Sequence, residues 1–124
     1  GDRTSQFNLA LTHDNGWGTP KNDRKAVDWY RKAAKQGHAK AQFNLGSMYV
    51  NNEGVPKDYV LAYMWMSLAA TSGLKSALKY KEVITKEMSQ PQISKAQQLF
   101  REWRPIKEKK EEVGNTSTQL APSK

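Results

Sequence analysis

The chain has 124 residues, no cysteine and a formal net charge of +8, with 37% hydrophobic and 26% charged residues. This length and composition fit one domain with its own core, and the lack of cysteine excludes disulfides and thiolate chemistry. The longest apolar stretch, residues 59–70, is shorter than the ~18 residues that span a bilayer, so we expect no transmembrane segment.

The sequence repeats itself with a period of 36 residues. Gln6-Phe7-Asn8-Leu9 recurs as Gln42-Phe43-Asn44-Leu45, and Trp29 recurs as Trp65. A period of about 20 to 50 residues predicts a solenoid of stacked units. Further matches at this offset are Gly18 with Gly54, Pro20-Lys21 with Pro56-Lys57, and Ala33-Ala34 with Ala69-Ala70.

The first unit, about residues 1–36, is predicted to form two helices. Compared with the second unit, Ala10 stands in place of Gly46 and His13 in place of Tyr49, so we expect this unit to pack less regularly. Glycine and proline break the chain between the two helices. The landmarks of this unit are Leu9, Gly18, Pro20, Ala26, Trp29, Ala33 and Gly37.

The second unit, about residues 37–72, shows the same pattern most clearly. Ala41, Leu45 and Tyr49 recur at helical spacing and predict the packing stripe of its first helix. Asp58 has the position of an N-cap for its second helix. Further landmarks are Gly46, where a neighbouring helix can approach closely, and Ala62, Trp65, Ala69 and Gly73 along and just past the second helix.

A degenerate third unit, residues 73–104, is predicted to cap the array, since an uncapped last unit would expose its apolar face. Its first helix is predicted over residues 76–88. Residues 89–92 have the form of a capping box and open a last helix that ends near Trp103. Residues 105–124 are predicted to be a charged and polar tail with little structure of its own, unless a partner holds it in place.

The second unit combines Ala41-Gln42-Phe43-Asn44-Leu45-Gly46 with Gly54-Val55-Pro56-Lys57-Asp58 and Trp65. This combined spacing resembles the Sel1-like repeat, a branch of the tetratricopeptide-like helical repeats, over about residues 1–104. The resemblance implies an all-α fold, a short right-handed α-solenoid of antiparallel helix pairs. It also implies an adaptor or accessory subunit of protein complexes, usually without catalysis of its own.

No catalytic, cofactor or metal site is predicted. His13 and His38 are the only histidines, and neither has a carboxylate at metal-ligand spacing on the same helix face. The chain lacks a Gly-x-Ser-x-Gly turn and a phosphate-binding glycine loop. We therefore predict a protein that is not an enzyme and that binds no cofactor.

The first candidate binding site is the groove that the first helices of tetratricopeptide-like units present to partners. Asparagine amides there could hydrogen-bond the backbone of a bound segment. The alternative is that the two phenylalanines pack between adjacent helices while the asparagines are solvated. The predicted groove residues are Phe7, Asn8, Leu11, Phe43, Asn44, Ser47, Val50 and Asn51, with Asp14 and Asn15 as further counterparts in the first unit.

The second candidate is the outer face of the second helix in the second unit, where apolar residues replace the charged residues of the first unit. Such a helix is normally buried. The terminal cap or the tail of the same chain could cover it, or a partner subunit could dock on it. The residues of this outer face are Val60, Leu61, Met64 and Leu68, in place of Arg24, Lys25, Asp28 and Lys32.

Lysine and arginine cluster in residues 21–40 and 75–107, which favours acidic partners, anionic lipid surfaces or nucleic acid. We expect protein partners, including subunits of a larger complex. The alternative is nucleic-acid binding, because the basic residues interleave with Trp29, Tyr30 and Tyr80. It is less favoured because lysine and arginine on outer helix faces more often only add solubility.

The resemblance also bears on location, because many bacterial relatives are exported. We therefore expect a periplasmic or secreted protein, with the cytoplasm as the alternative. Gly1 falls on the same repeat position as Gly37 and Gly73, which suggests that further units or a leader preceded it.

Overall fold

A computed structural model describes residues 2–18 and 20–106. This part of the chain forms six α-helices and no strand, which confirms the predicted all-α solenoid. Most of the predicted tail, residues 107–124, lies outside the described residues. None of the described helices is long and apolar enough to cross a membrane. The helices are α1 (Arg3–Asn15), α2 (Asp23–Lys35), α3 (Ala39–Asn51), α4 (Tyr59–Thr71), α5 (Lys75–Thr85) and α6 (Gln90–Glu102).

The bounds of α3 and α4 repeat those of α1 and α2 at an offset of 36 residues. Helix α1 packs against α2 and α3 against α4, while α2 also contacts α3 and so joins the first two units. The third unit departs from this arrangement. Helices α5 and α6 each pack on α4 and make little direct contact with each other.

The core follows the predicted stripes of the second unit. Ala41, Leu45, Ala62 and Ala69 are fully buried. Gly46 lies where α3 crosses α4: a Cβ atom there would stand 3.1 Å from Cε of Met66 and 3.3 Å from the Ala62 carbonyl oxygen. The small residue therefore sets how closely the two helices approach. In the first unit the stripe is less regular, because Trp29 is only half-buried while its neighbours Val27 and Tyr30 are buried.

Helix ends follow the capping residues. The Asp58 carboxylate accepts a hydrogen bond from the Leu61 amide at 3.1 Å, and the capping box of Ser89 and Gln92 is present. Helix α5 ends at Thr85 rather than at Met88. The Glu87 and Met88 amides donate to carbonyl oxygens only three residues earlier, those of Ile84 and Thr85. This tightens the last turn before the chain becomes extended at Ser89.

After α6 the chain turns back across the second helices of the earlier units. The Trp103 ring packs edge-on against Trp65, with ring centroids 6.1 Å apart. The Ile106 amide then donates to the Lys35 carbonyl oxygen at 2.7 Å, at the end of α2. The segment that follows α6 therefore ties the third unit to both earlier ones.

Candidate functional site

A groove of about 540 Å³ lies between α3 and α5, and its surface is mostly apolar. We call it the α3/α5 groove. It is formed by the first helices of the second and third units, as expected for a solenoid of this kind. Its lining residues are Phe43, Val50 and Asn51 from α3, and Ser76, Lys79, Tyr80 and Val83 from α5.

Side-chain contacts fix the two walls of the groove relative to each other. The Phe43 and Tyr80 rings meet edge to face with centroids 5.7 Å apart. The Tyr80 hydroxyl lies 3.3 Å from Oγ of Ser47, which also accepts a hydrogen bond from Nδ2 of the Asn51 side chain at 3.3 Å. Val83 does not take part in these contacts, and its side chain is 60% exposed. The groove is therefore preorganised and presents a free aliphatic side chain.

The predicted groove residues of the first unit are arranged differently. Phe7 is half-buried, stacks on His38 with ring centroids 4.4 Å apart and also touches Tyr30. Its ring therefore packs within the chain, as the alternative interpretation proposed. Asn8 and Asn15 are exposed, and Leu11 is half-buried.

Tyr30 joins the first two units beneath the predicted groove. It is fully buried, and its hydroxyl donates to Oδ2 of Asp14 at 2.9 Å. Burial, and then the Asp14 carboxylate, raise the pKa of this hydroxyl well above its usual range, while a hydrogen bond from Asn44 acts in the opposite direction. Asp14 and Asn44 therefore both contribute to the junction between the first two units.

His38 is the N-cap of α3: its Nδ1 accepts a hydrogen bond from the Ala41 amide at 3.2 Å. Burial, and then the positive charges of Arg3 and Lys40, lower the pKa of His38 from its ordinary value of 6.5. As the pH falls, the unfolded chain binds this proton before the folded chain does. The stability that depends on neutral His38 is therefore fully present above about pH 6.5 and is lost as the pH falls towards the folded-state pKa.

We expect the melting temperature of the protein to fall between pH 7.5 and pH 5 by more than that of the His38→Asn variant. Asparagine keeps an N-cap acceptor but does not titrate. Thermal unfolding followed by circular dichroism, at several pH values for both proteins, measures the difference. Parallel pH profiles of the two proteins would contradict this role for His38.

The outer face of α4 is only partly accessible. Met64 and Leu68 are 7% and 8% exposed, whereas Val60 and Leu61 are half-buried. Helix α6 packs on α4, and Phe100 of α6 packs against the core. The burial of Met64 and Leu68 agrees with the alternative in which the same chain covers this face, and partner binding at Val60, Leu61, Met64 and Leu68 stays a prediction.

Four lining residues of the α3/α5 groove were not predicted from sequence, because the third unit was interpreted only as a cap. The repeat period contains the signal that could have found them. Lys79, Tyr80 and Val83 lie 36 residues after Phe43, Asn44 and Ser47, which were predicted groove residues.

Within the described residues, no group of three histidine, aspartate or glutamate side chains could hold a metal ion.

Comparison with known proteins places these features in a family. The sequence model of the Sel1 repeat matches residues 4–38 and 39–74. The chain is similar to c5321, a protective antigen of uropathogenic Escherichia coli with an SLR fold, with a TM-score of 0.79 and 28% identity. This match covers 94% of this chain and 28% of that one.

A Sel1 repeat protein from Oxalobacter formigenes is similar with a TM-score of 0.64 and 41% identity, over 65% of this chain and 33% of that one. The chain therefore spans a third or less of the length of these two solved structures. A sequence comparison with curated proteins gives no match.

Proposed function

The chain belongs to the Sel1-repeat family, and from this premise we propose that it is a protein-binding accessory subunit. Its α3/α5 groove would take a short segment of a partner protein in which apolar side chains are flanked by acidic residues. Sel1-repeat proteins generally mediate protein–protein interactions, and their fold is typically a non-catalytic scaffold. The single observation that carries the proposal is the preorganised, mostly apolar groove.

Apolar burial supplies the attraction. Val83 is 60% exposed at the open side of the groove, and Val50 is half-buried on the opposite wall. Covering Val83 alone contributes about 1 kcal/mol. Because the Phe43 and Tyr80 rings are already in contact, a ligand does not have to order them, so less of this gain is lost as entropy.

Charge selects the flanks of the segment. Besides Lys81, which lies on the opposite side of α5, helices α3 and α5 contain three lysines, Lys40, Lys75 and Lys79, and one carboxylate, Glu82. None of these lysines forms an ion pair with a described carboxylate. Lys79 lines the groove, and Lys75 precedes it by one helical turn. This uncompensated positive charge favours aspartate or glutamate beside the apolar residues of the partner.

Peptides selected on the wild-type protein from a displayed library of random 12-residue segments should contain apolar residues next to aspartate or glutamate. Their affinity, measured by fluorescence polarisation, should fall at least about tenfold for Val83→Asp, which places a carboxylate in the apolar lining of the groove. Leu9→Asp is the matched control, since Leu9 is an aliphatic residue that is 42% exposed, lies on α1 and does not line the groove.

Equal loss in both variants, or selected peptides without acidic residues, would contradict the proposal.

The salt dependence of the affinity distinguishes peptide binding from nucleic-acid binding. Between about 0.05 M and 0.5 M salt, peptide binding should weaken only modestly, whereas a nucleic acid that contacts many phosphates loses orders of magnitude in affinity.

A further inference from the structure

A second opening, of about 460 Å³, lies on the opposite side of α5, between α4, α5 and α6. We call it the terminal cleft. Helix α4 forms its floor, and α5 and α6 form its walls, because these two helices pack on α4 but not closely on each other. The lining residues that matter here are Tyr63, Ser67, Leu78, Lys81, Gln97 and Phe100.

The repeat period explains why this cleft is open. Lys81 lies 36 residues after Leu45, which is fully buried in the core. A lysine ammonium cannot be buried at that position without an ionic or hydrogen-bonding partner. In the third unit Lys81 is therefore half-buried and Leu78 is 50% exposed, although the residue equivalent to Leu78, Gln42, is almost fully buried.

Donor groups converge on the cleft. Nζ of Lys81 lies 5.3 Å above the Tyr63 ring, and no described carboxylate pairs with it. Among the described residues, the Tyr63 hydroxyl accepts a single long hydrogen bond, 3.5 Å, from Nε2 of the Gln97 side chain. Ser67 is 4% exposed, and its Oγ is buried with no hydrogen-bond partner among the described residues. A buried hydroxyl of this kind normally has a partner.

We infer that the terminal cleft binds a carboxylate attached to an apolar group. The ammonium of Lys81 and the hydroxyl of Tyr63 supply the donors for the carboxylate, Ser67 belongs to the floor, and Leu78 and Phe100 flank the apolar part of the ligand. One cation on a half-apolar surface suits a single negative charge. A phosphate, with more charge, is usually held by several cations or by arginine.

A titration of the ¹⁵N-labelled full chain tests this inference. The probes are N-acetylphenylalanine, its uncharged amide, and a tripeptide that ends in phenylalanine with a free carboxyl group. We expect both acids to bind with a Kd on the order of 1 mM and to shift amide signals of α4, α5 and α6. The amide should bind at least about tenfold more weakly, because it lacks the charge that pairs with Lys81.

The two acids distinguish the source of the ligand. Tighter binding of the tripeptide assigns the cleft to the carboxyl terminus of a protein. Tighter binding of N-acetylphenylalanine assigns it to a small molecule. Either result supports the inference. Equal binding of acid and amide overturns it. Shifts confined to the α3/α5 groove, or no shift at about ten times the expected Kd, also overturn it.

Three substitutions separate the cleft from the groove. Lys81→Gln should weaken acid binding at least about tenfold, while Lys79→Gln, on the groove side of the same helix, should leave it unchanged. Lys81→Leu restores the residue found at Leu45 and should raise the melting temperature while abolishing acid binding. Equal loss in Lys79→Gln would show that the acids respond to general positive charge, which overturns the inference.

Discussion

Replacement of Gly54 by alanine should lower the free energy of unfolding by about 3 kcal/mol, whereas Gly18→Ala should lower it by only about 1 kcal/mol. Both glycines occupy the same repeat position and the same left-handed conformation, with φ of 73° and 70°. Around Gly18 no atom of the described residues lies within 4 Å of an added Cβ. At Gly54 the added Cβ would stand 2.6 Å from the Asp23 carbonyl oxygen and 2.7 Å from its carbon.

The larger effect follows because the neighbours of Gly54 are backbone atoms, which cannot rotate away as a flexible side chain can. The α3–α4 loop would have to withdraw from the start of α2, and the contact between the first two units would loosen. Urea unfolding followed by circular dichroism measures both variants. Since the cost of the backbone conformation is common to the pair, the difference between them reports the contact between units. Equal effects would show that this contact contributes nothing.

Gly18 and Gly54 have the same sequence signal but different surroundings, so they show which features of the fold the sequence does not predict. The 36-residue period, the Asp58 cap and the capping box at Ser89 are local patterns, and the structure reproduces them. The distance from Gly54 to Asp23 is a tertiary distance that depends on how two units stack. For the same reason the sequence could suggest that Met64 and Leu68 needed covering but left open whether α6 or a partner covers them.

The candidate sites, too, were predicted in part and missed in part. Phe43, Val50 and Asn51 were predicted because they belong to the unit with the clearest pattern, and they line the α3/α5 groove. The opposite wall was missed because the third unit keeps the backbone position of a repeat while losing its sequence landmarks. Lys81 is the clearest case: a change from leucine to lysine weakens the repeat pattern and at the same time opens the terminal cleft.

Replacement of Trp65 by alanine should lower the free energy of unfolding by about 3 to 5 kcal/mol, which is a large part of the stability of a small domain. Trp65 is 5% exposed, and its ring packs against Trp103 from the segment that follows α6. Its repeat counterpart, Trp29, is half-buried and has Nζ of Lys32 4.4 Å from its ring centroid. Trp29→Ala should therefore cost only about 1 to 2 kcal/mol, since less apolar surface is lost.

A double-mutant cycle with Trp103→Ala identifies the origin of this difference. The contact between the two rings should give a coupling energy of about 1 kcal/mol between Trp65 and Trp103, and none between Trp29 and Trp103. A coupling near zero, or equal losses for Trp65→Ala and Trp29→Ala, would contradict the packing of the third unit described above. Because α4 carries both α5 and α6, loss of this coupling should also weaken peptide binding in the groove, where α5 is one wall. The capping unit would then support binding as well as stability.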